Sequence, residues 1–350
     1  MKYRLHFTLD YEVHGNGDGN PASLMVEPTR RLMKILENYG QRVTIMADVA
    51  EILAFKNYYV RTGRDDFHTL EIEEQLREAV SRGHDVQLHI HSSWFKAEWN
   101  GRKWDQCVDE YNLAALSEKR IDEMVGVCVD YLQDLLSPVK SDYRVWLFRA
   151  ANWSMMPTEN LYRVLLKHGL AADTSVYKGG VQGGNVCYEY RNAWHNLLSY
   201  PASATDINLL APEGQEGILT EYPIYTEMRP FWTFVTPIRL FRMIRSKFHR
   251  HKRSSSFIDS SLGEAREDNR KLSVRSFFRE SPWKMDFNQA TGTQLIAAMK
   301  RILSLEIKDR ETVDVVLIGH SKTFVKYNEK SFVKFLEWTT NRPEIVQTGV

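Results

Sequence analysis

Two histidines separated by a single residue are the first indication of chemistry in this sequence. His89 and His91 end a short apolar alternation in the stretch GHDVQLHIHSSW, residues 83–94. In an extended chain, residues i and i+2 lie on the same face, so both imidazoles can face one point. Two neutral imidazoles that converge in this way can form part of a metal site. The alternative is that one histidine is buried and hydrogen-bonded while the other faces solvent.

Further residues with catalytic potential stand at the ends of other predicted strands. They are Asp10 and Glu12 after residues 3–9, Arg149 after 144–148, Asp173 after 170–172 and His320 after 313–318. In a parallel β/α barrel the active site lies at the C-terminal ends of the strands. We therefore expect these residues and the two histidines to share one rim of the fold.

Predicted helices alternate with these strands along the chain. They cover residues 27–39, 69–82, 117–136, 157–168, 293–305 and 329–339. A repeated order of strand and helix predicts a parallel sheet covered by helices. The most economical arrangement is an α/β fold in the form of a distorted parallel β/α barrel of about seven strands.

The composition is that of an ordinary folded protein. The chain has 350 residues and a formal net charge of +1, which gives no general attraction to nucleic acid. Its three cysteines are odd in number and widely spaced, which predicts neither a disulfide framework nor a zinc ribbon. No signal peptide is evident, and no stretch approaches the roughly 20 apolar residues of a membrane span. These features together predict a cytoplasmic protein.

With these positions in order, the sequence resembles the NodB-homology polysaccharide deacetylases, carbohydrate esterase family four. It looks closest to variants with Asp-x-Glu and His-x-His motifs, which would be Asp10 with Glu12 and His89 with His91. The third motif of the family is partly met by Arg149 in FRAANW. The fourth and fifth motifs match the last two rim residues, which are Asp173 in AADTSV and His320 in VVLIGHSK.

The resemblance implies a role for each of these residues in amide hydrolysis. Glu12, His89 and His91 would hold a divalent metal, zinc being expected, which would activate water and polarise the substrate carbonyl. The remaining roles concern proton transfer: Asp10 would be the general base, oriented by Arg149, and His320 would be the general acid, kept protonated by Asp173.

Tryptophans beside the motifs suggest a sugar-binding surface or simple packing. Trp94 and Trp153 could stack on a sugar ring, and Trp99 and Trp104 could cover the site, but tryptophans near loops often only pack them down.

One segment of the chain matches none of the motifs. Residues 228–290 are predicted to form an insertion within a single catalytic domain of residues 1–350. Within it, residues 231–253 combine aromatic, aliphatic and basic side chains with near-helical spacing. This segment could contact an anionic membrane as a peripheral element at the inner membrane surface, or could pack on the barrel with a solvated basic face.

We predict a metal-dependent hydrolase that removes an N-acyl group, acetyl being expected, from an amino sugar or glycan precursor in surface polysaccharide biosynthesis. Two alternatives stay open from the sequence. One is a metal-free amidohydrolase of the same fold acting on a small non-sugar amide, and the other is a carbohydrate-binding relative without activity. The sequence does not indicate the oligomeric state.

Overall fold

The structure, a computed structural model, describes residues 1–15, 17–230, 280–308 and 310–346. The predicted basic segment 231–253 and most of the predicted insertion lie outside these residues. The membrane contact and the domain boundaries therefore stay predictions. The described flanks of this part of the chain pair with each other, because Thr226–Pro230 and Glu280–Lys284 form a two-stranded antiparallel ribbon.

A mostly parallel, curved sheet forms the centre of the protein. Its strands are β1 Lys2–Tyr11, β2 Val43–Asp48, β3 Asp85–Ile90, β4 Leu147–Ala150, β5 Ala172–Asp173, β6 Tyr200–Pro201, β7 Thr220–Glu221, β8 Thr312–His320 and β9 Ile345–Val346. The spatial order is β6-β7-β5-β4-β3-β2-β1-β8, and β9 also pairs with β1. Every pair is parallel except β6 with β7.

The two edges of this sheet approach each other. Ile224, just after β7, forms a parallel bridge with Val316 of β8. Because β7 lies near one end of the strand order and β8 at the other, this bridge curls the sheet into a distorted barrel. The predicted α/β fold class is therefore confirmed.

Helices cover the sheet in the alternating order that the sequence predicts. They are α1 Glu27–Glu37, α2 Val49–Thr62, α3 Thr69–Ser81, α4 Glu118–Leu136, α5 Thr158–Lys167, α6 Gly292–Leu303 and α7 Lys326–Thr340. Ser117 caps α4 by accepting a hydrogen bond from Arg120 N, and Thr291 with Gln294 forms a capping box at α6. Within the described ranges, no helix is both long and apolar enough to cross a bilayer.

Shorter elements connect the strands to the helices. Single helical turns are formed by Ala22–Val26, Ser92–Lys96, Val108–Glu110, Leu113–Ala115, Ala151–Trp153 and Ser321–Thr323. Small antiparallel ribbons are formed by Glu98–Trp99 with Trp104–Asp105 and by Val181–Gln182 with Tyr188–Glu189. Three of the turns, Ser92–Lys96, Ala151–Trp153 and Ser321–Thr323, directly follow or nearly follow β3, β4 and β8, so they lie at the rim predicted to hold the site.

One long helix, α2, was not predicted from the sequence. It begins directly after β2 with no intervening loop, since Asp48 ends the strand and Val49 starts the helix. The sequence has no glycine, proline or Asn-rich turn at this junction to separate the two periodicities.

Candidate metal and catalytic centre

Parallel register aligns the predicted site residues at the C-terminal rim. Asp10 of β1 is paired with His320 of β8, and His89 of β3 is paired with Arg149 of β4. Residues far apart in the sequence therefore stand at the same level of the sheet. Because neighbouring parallel strands all point the same way, their C-terminal ends lie at one edge of the sheet.

Asp10 is held between a guanidinium and an imidazole. Arg149 Nη1 donates to Asp10 Oδ1 at 2.6 Å, and His320 Nε2 lies 3.4 Å from Asp10 Oδ2. Burial by itself would raise the pKa of Asp10, but the nearby charges of Arg149 and His320 outweigh it and hold the pKa below its usual value. Asp10 is therefore an ionised, oriented carboxylate at neutral pH.

Further hydrogen bonds hold the Arg149 side chain in the position that contacts Asp10. It is completely buried. Its Nε donates to Thr174 O at 3.0 Å, and its Nη2 donates to Thr8 Oγ1 at 2.8 Å. The predicted hydrogen bond between Arg149 and Asp10 is thus present and supported by the neighbouring strands.

Glu12, His89 and His91 form a buried cluster. One ligand-type atom from each residue lies within 4.8 Å of the others. Glu12 Oε2 is 2.7 Å from His91 Nε2 and 3.9 Å from His89 Nε2. The i and i+2 spacing of the histidines therefore brings both imidazoles to one carboxylate oxygen.

The orientation of His89 suits a metal ligand. Its Nδ1 donates to the carbonyl oxygen of Arg149 at 2.8 Å, which leaves the lone pair on Nε2, the atom nearest Glu12. Burial lowers the pKa of His89 to about 4, so this imidazole is neutral at neutral pH. A neutral imidazole fixed by a carbonyl is the usual state of a metal-binding histidine.

His91 differs from His89 in the direction of its pKa shift. Burial alone would lower the pKa of His91, but the Glu12 and Asp48 carboxylates outweigh it and raise the pKa above the usual value. A divalent ion at this position would therefore compete with a proton for His91. The backbone N of His91 donates to Asp48 Oδ1 at 3.1 Å, which anchors this end of β3 to β2.

The donor set fits a divalent metal. Two imidazole nitrogens and one carboxylate oxygen are a set that holds catalytic zinc, with further positions left for water and substrate. The Glu12 oxygen that faces the imidazoles is Oε2, and the other oxygen of this carboxylate has a separate partner. The three residues therefore satisfy the requirement that one oxygen and two nitrogens converge.

That separate partner is Lys322, which was not singled out from the sequence. Its Nζ donates to Glu12 Oε1 at 2.7 Å and to the carbonyl oxygen of Val13 at 3.1 Å. Burial would raise the pKa of Glu12, but Lys322 and His91 outweigh it and hold the pKa well below its usual range. A signal was present in the sequence, since Lys322 follows His320 with the same i, i+2 spacing that separates Asp10 from Glu12.

Asp173 does not have the partner predicted for it. Ser175 donates to its carboxylate from both N, at 3.0 Å, and Oγ, at 2.7 Å, and no ion pair joins Asp173 to His320. The carboxylate beside His320 is Asp10 instead. The end of β5 lies beside β4 and β7, whereas His320 ends β8 beside β1, so the role of Asp173 in keeping His320 protonated stays a prediction that no direct ion pair supports.

The true neighbour of Asp173 is a second buried acid. Glu221 stands opposite Asp173 in the parallel pairing of β5 with β7, and both residues are fully buried. Burial and the adjacent Asp173 carboxylate raise the pKa of Glu221 well above its usual range. Burial raises the pKa of Asp173 as well, but hydrogen bonds from Glu221 and Ser175 oppose this shift, so Glu221 is the member of the pair that holds a proton more readily.

Two more buried acids lie behind the cluster. Asp48 and Glu51 are both nearly inaccessible, and Glu51 accepts hydrogen bonds from Val13 N at 3.1 and 3.3 Å. Burial raises the pKa of Asp48 to about 7 and that of Glu51 well above its usual value. Asp48 ends β2, whereas Glu51 lies in α2, which explains why strand periodicity did not indicate Glu51.

The tryptophans near the motifs have different surroundings. Trp94 is buried against Phe55 and Trp104, with ring centroids 5.6 and 5.4 Å away, so it packs the loop. Trp153 lies edge-on to His320, with centroids 6.1 Å apart, and has a positive φ of 59°. A bulky residue in this left-handed conformation is strained, which is common next to functional sites.

Comparisons with known proteins support the fold. No protein-family model and no curated protein sequence matches the chain. Three solved structures are similar over 98 to 99% of this chain. A glycoside hydrolase/deacetylase structure from Parabacteroides distasonis has a TM-score of 0.54 and 10% identity, with 68% of its chain covered.

The other two are from proteins assigned as polysaccharide deacetylases. The Mycobacterium smegmatis structure has a TM-score of 0.51 and 12% identity, with 87% of its chain covered. The Pseudomonas aeruginosa PAO1 structure has a TM-score of 0.50 and 11% identity, with 86% covered. At this level of identity the likeness concerns the fold alone. The chain thus has the polysaccharide-deacetylase fold, the distorted β/α barrel to which its motifs pointed.

Proposed function

We propose that this protein is a metal-dependent deacetylase that hydrolyses an N-acyl group, acetyl being the expected one, on an amino sugar or glycan precursor. The observation that carries the proposal is the convergence of Glu12, His89 and His91 beside Asp10, a carboxylate held by a buried arginine. The shared fold supports it, because proteins with this fold include assigned polysaccharide deacetylases.

A divalent ion held by Glu12, His89 and His91 would supply positive charge to polarise the acyl carbonyl and to acidify water. Asp10 would take the proton from the attacking water as the C–O bond forms. Arg149 keeps this carboxylate ionised and oriented, which is the state a general base needs.

His320 would donate a proton to the amine nitrogen as the C–N bond breaks. Its Nε2 lies 3.4 Å from Asp10 Oδ2, so the residues proposed to take and to give the proton are neighbours. Asn288 fixes the His320 backbone on both sides, because its Nδ2 donates to His320 O at 2.9 Å and its Oδ1 accepts from His320 N at 3.2 Å.

A role in surface polysaccharide biosynthesis in the cytoplasm is part of the same proposal and rests on the sequence alone.

The antiparallel ribbon that contains Lys284 lies beside Trp153 and bears on substrate binding. Lys284 Nζ lies 3.7 Å from the centroid of the Trp153 ring and 4.2 Å from that of Tyr177. Because Tyr177 is completely buried and Trp153 nearly so, the half-buried Lys284 is the member of this group best placed to contact a polar sugar.

The test is acetate release from N-acetylated amino sugars and short glycans by the purified protein. Asp10→Asn removes the base while keeping the shape of the side chain, and we expect its rate to fall by about a hundredfold or more. Asp109→Asn is the matched control, since Asp109 is exposed in a helical turn. Equal rates for Asp10→Asn and wild type would refute the proposed role of this residue.

One observation favours the metal-free alternative. Lys322 already places a positive charge beside one oxygen of the Glu12 carboxylate, and His91 lies against the other, so the protein itself compensates this acid. Metal content separates the two functions. The metal-dependent reaction predicts about one divalent ion per chain and loss of activity with a chelator, whereas the alternative predicts activity that a chelator does not change.

A further inference from the structure

Two short motifs oppose each other at the centre of the rim. Asp10 lies near the end of β1 and Glu12 just after it, while His320 ends β8 and Lys322 follows it, with Asp10 paired to His320 in the parallel register. The two acids are two residues apart, and so are their two basic partners across the strand pair. His320 Nε2 is 3.4 Å from Asp10, and Lys322 Nζ is 2.7 Å from Glu12.

Lys322 is held in place by backbone as well as by Glu12. It lies in the turn Ser321–Thr323, and its side chain is only 16% exposed. Its Nζ also donates to Val13 O, and Ser321 Oγ donates to Glu12 O at 3.4 Å. The ammonium group is therefore a fixed part of the cluster and not a mobile surface charge.

Glu12 divides its two oxygens between different partners. Oε1 accepts from Lys322, while Oε2 faces the nitrogens of His91 and His89. A cation at the histidines and the ammonium of Lys322 would therefore bind the same carboxylate from opposite sides.

We propose that Lys322 lowers the affinity of the Glu12, His89 and His91 site for divalent metal and holds Glu12 in position when no metal is bound. This rests on the proposed function only in its choice of these three residues as the metal ligands. Lys322 is a positioning residue in this account, because it acts through Glu12.

Two physical effects give the sign of the change. The ammonium repels a divalent cation, and this repulsion is strong because both charges are screened little by water in a buried cluster. Lys322 also draws electron density from Glu12, which makes this carboxylate a weaker ligand. Without metal, the same ammonium compensates a carboxylate that would otherwise be buried next to Asp48 and Glu51.

The test is the zinc affinity of the full chain, measured by competition with a chromophoric chelator at fixed pH. We expect Lys322→Met and Lys322→Gln to bind Zn²⁺ at least about tenfold more tightly than wild type, because they remove the repelling charge. Lys322→Arg keeps the charge and should change the affinity little. Lys326→Met is the control, since it removes a charge from an exposed lysine four residues away.

Thermal unfolding gives a second readout that does not require activity. In chelator, Lys322→Met should melt at a lower temperature than wild type, because Glu12 loses its compensating charge. Zinc should then raise its melting temperature by more than it raises that of wild type, as tighter binding to the folded state requires. If Lys322→Met does not fold without metal, refolding it with zinc gives the same comparison.

The outcomes separate this inference from the proposed function. If wild type binds zinc and Lys322→Met and Lys322→Gln bind it equally or more weakly, the inference is overturned while the metal site stands. If the folded wild type and both neutral variants bind no zinc, the assignment of Glu12, His89 and His91 as ligands is wrong, and the inference falls with it. Zinc binding only by the neutral variants would support the inference in its strongest form.

Discussion

Replacing Arg149 by Met should remove the buried ion pair that holds Asp10, the proposed general base. Arg149 is completely buried, and four hydrogen bonds hold it, to Asp10 Oδ1, Thr8 Oγ1, Thr174 O and Thr174 Oγ1. Methionine has a similar length and can fill much of the space, but it leaves the Asp10 carboxylate buried, with the His320 imidazole as the one basic side chain left within 4.0 Å among the described residues.

The expected cost is large relative to the stability of a domain. Removing one partner of a buried ion pair costs about 3–5 kcal/mol, because it leaves an uncompensated charge. The whole free energy of unfolding of a typical protein is about 5–15 kcal/mol. Arg149→Met should therefore lower the free energy of unfolding markedly and reduce the deacetylation rate by about a hundredfold or more.

The matching assay is a double-mutant cycle followed by urea unfolding. Asp10→Asn in the Arg149→Met background removes the uncompensated carboxylate, so the double variant should be more stable than the sum of the two single losses predicts, by about 1–3 kcal/mol. Unfolding measured in a chelator needs neither substrate nor bound metal, so under that condition the cycle tests the ion pair separately from the proposed activity.

The pH dependence of the cycle has a definite sign. Arg149 holds the pKa of Asp10 below its unfolded value, so this group contributes stability above that value and loses it as the pH falls through the folded pKa. The cost of Arg149→Met should therefore be greatest near neutral pH and shrink in acid. Additive losses within about 0.5 kcal/mol at neutral pH would refute the coupling.

Three further predictions concern the framework of the site. Gly319→Ala should destabilise the protein by about 1–3 kcal/mol in urea unfolding, since its Cβ would lie 2.2 Å from Phe287, whereas Gly15→Ala, with nothing within 4 Å, should be neutral. Burial lowers the pKa of His84 to about 4, so the free energy of unfolding should fall between about pH 6.5 and 4 as the unfolded state takes up the proton. In a series of melting curves over this pH range, the His84→Gln variant should show a smaller fall than wild type. Because the raised pKa of Glu221 makes stability fall as the pH rises above about 4.5, Glu221→Gln should melt no lower than wild type at pH 8.

Strand ends allowed much of the rim to be predicted from the sequence. Buried apolar runs such as the one that precedes His320 show where a parallel strand stops, and chemistry in this fold class lies just beyond. Asp10, Glu12, His89, His91 and Arg149 could be placed together for this reason, and the structure brings them into one cluster.

Contacts that depend on the order of the strands could not be predicted in the same way. The neighbour of Asp173 is decided by which strand lies beside β5, and sequence periodicity does not contain that information. Because β5 pairs with β7, the neighbour of Asp173 is the buried Glu221. Because β1 lies between β2 and β8, the acid beside His320 is Asp10. Glu51 could not be predicted for a different reason, because it lies in α2, a helix that the sequence pattern did not indicate.

The opposed motifs at the ends of β1 and β8 indicate why the site needs both strands side by side. Two acids on one strand would repel each other and raise each other's pKa values if they were buried alone. With β8 in register, Asp10 gains His320 and Glu12 gains Lys322, and Arg149 adds a further charge from β4. The two carboxylates can then be buried and ionised together, which is the state that both a metal ligand and a general base require. A variant that shifts this register by one residue would turn His320 and Lys322 away from the acids, so the alignment of β1 with β8 is the structural condition for the proposed reaction.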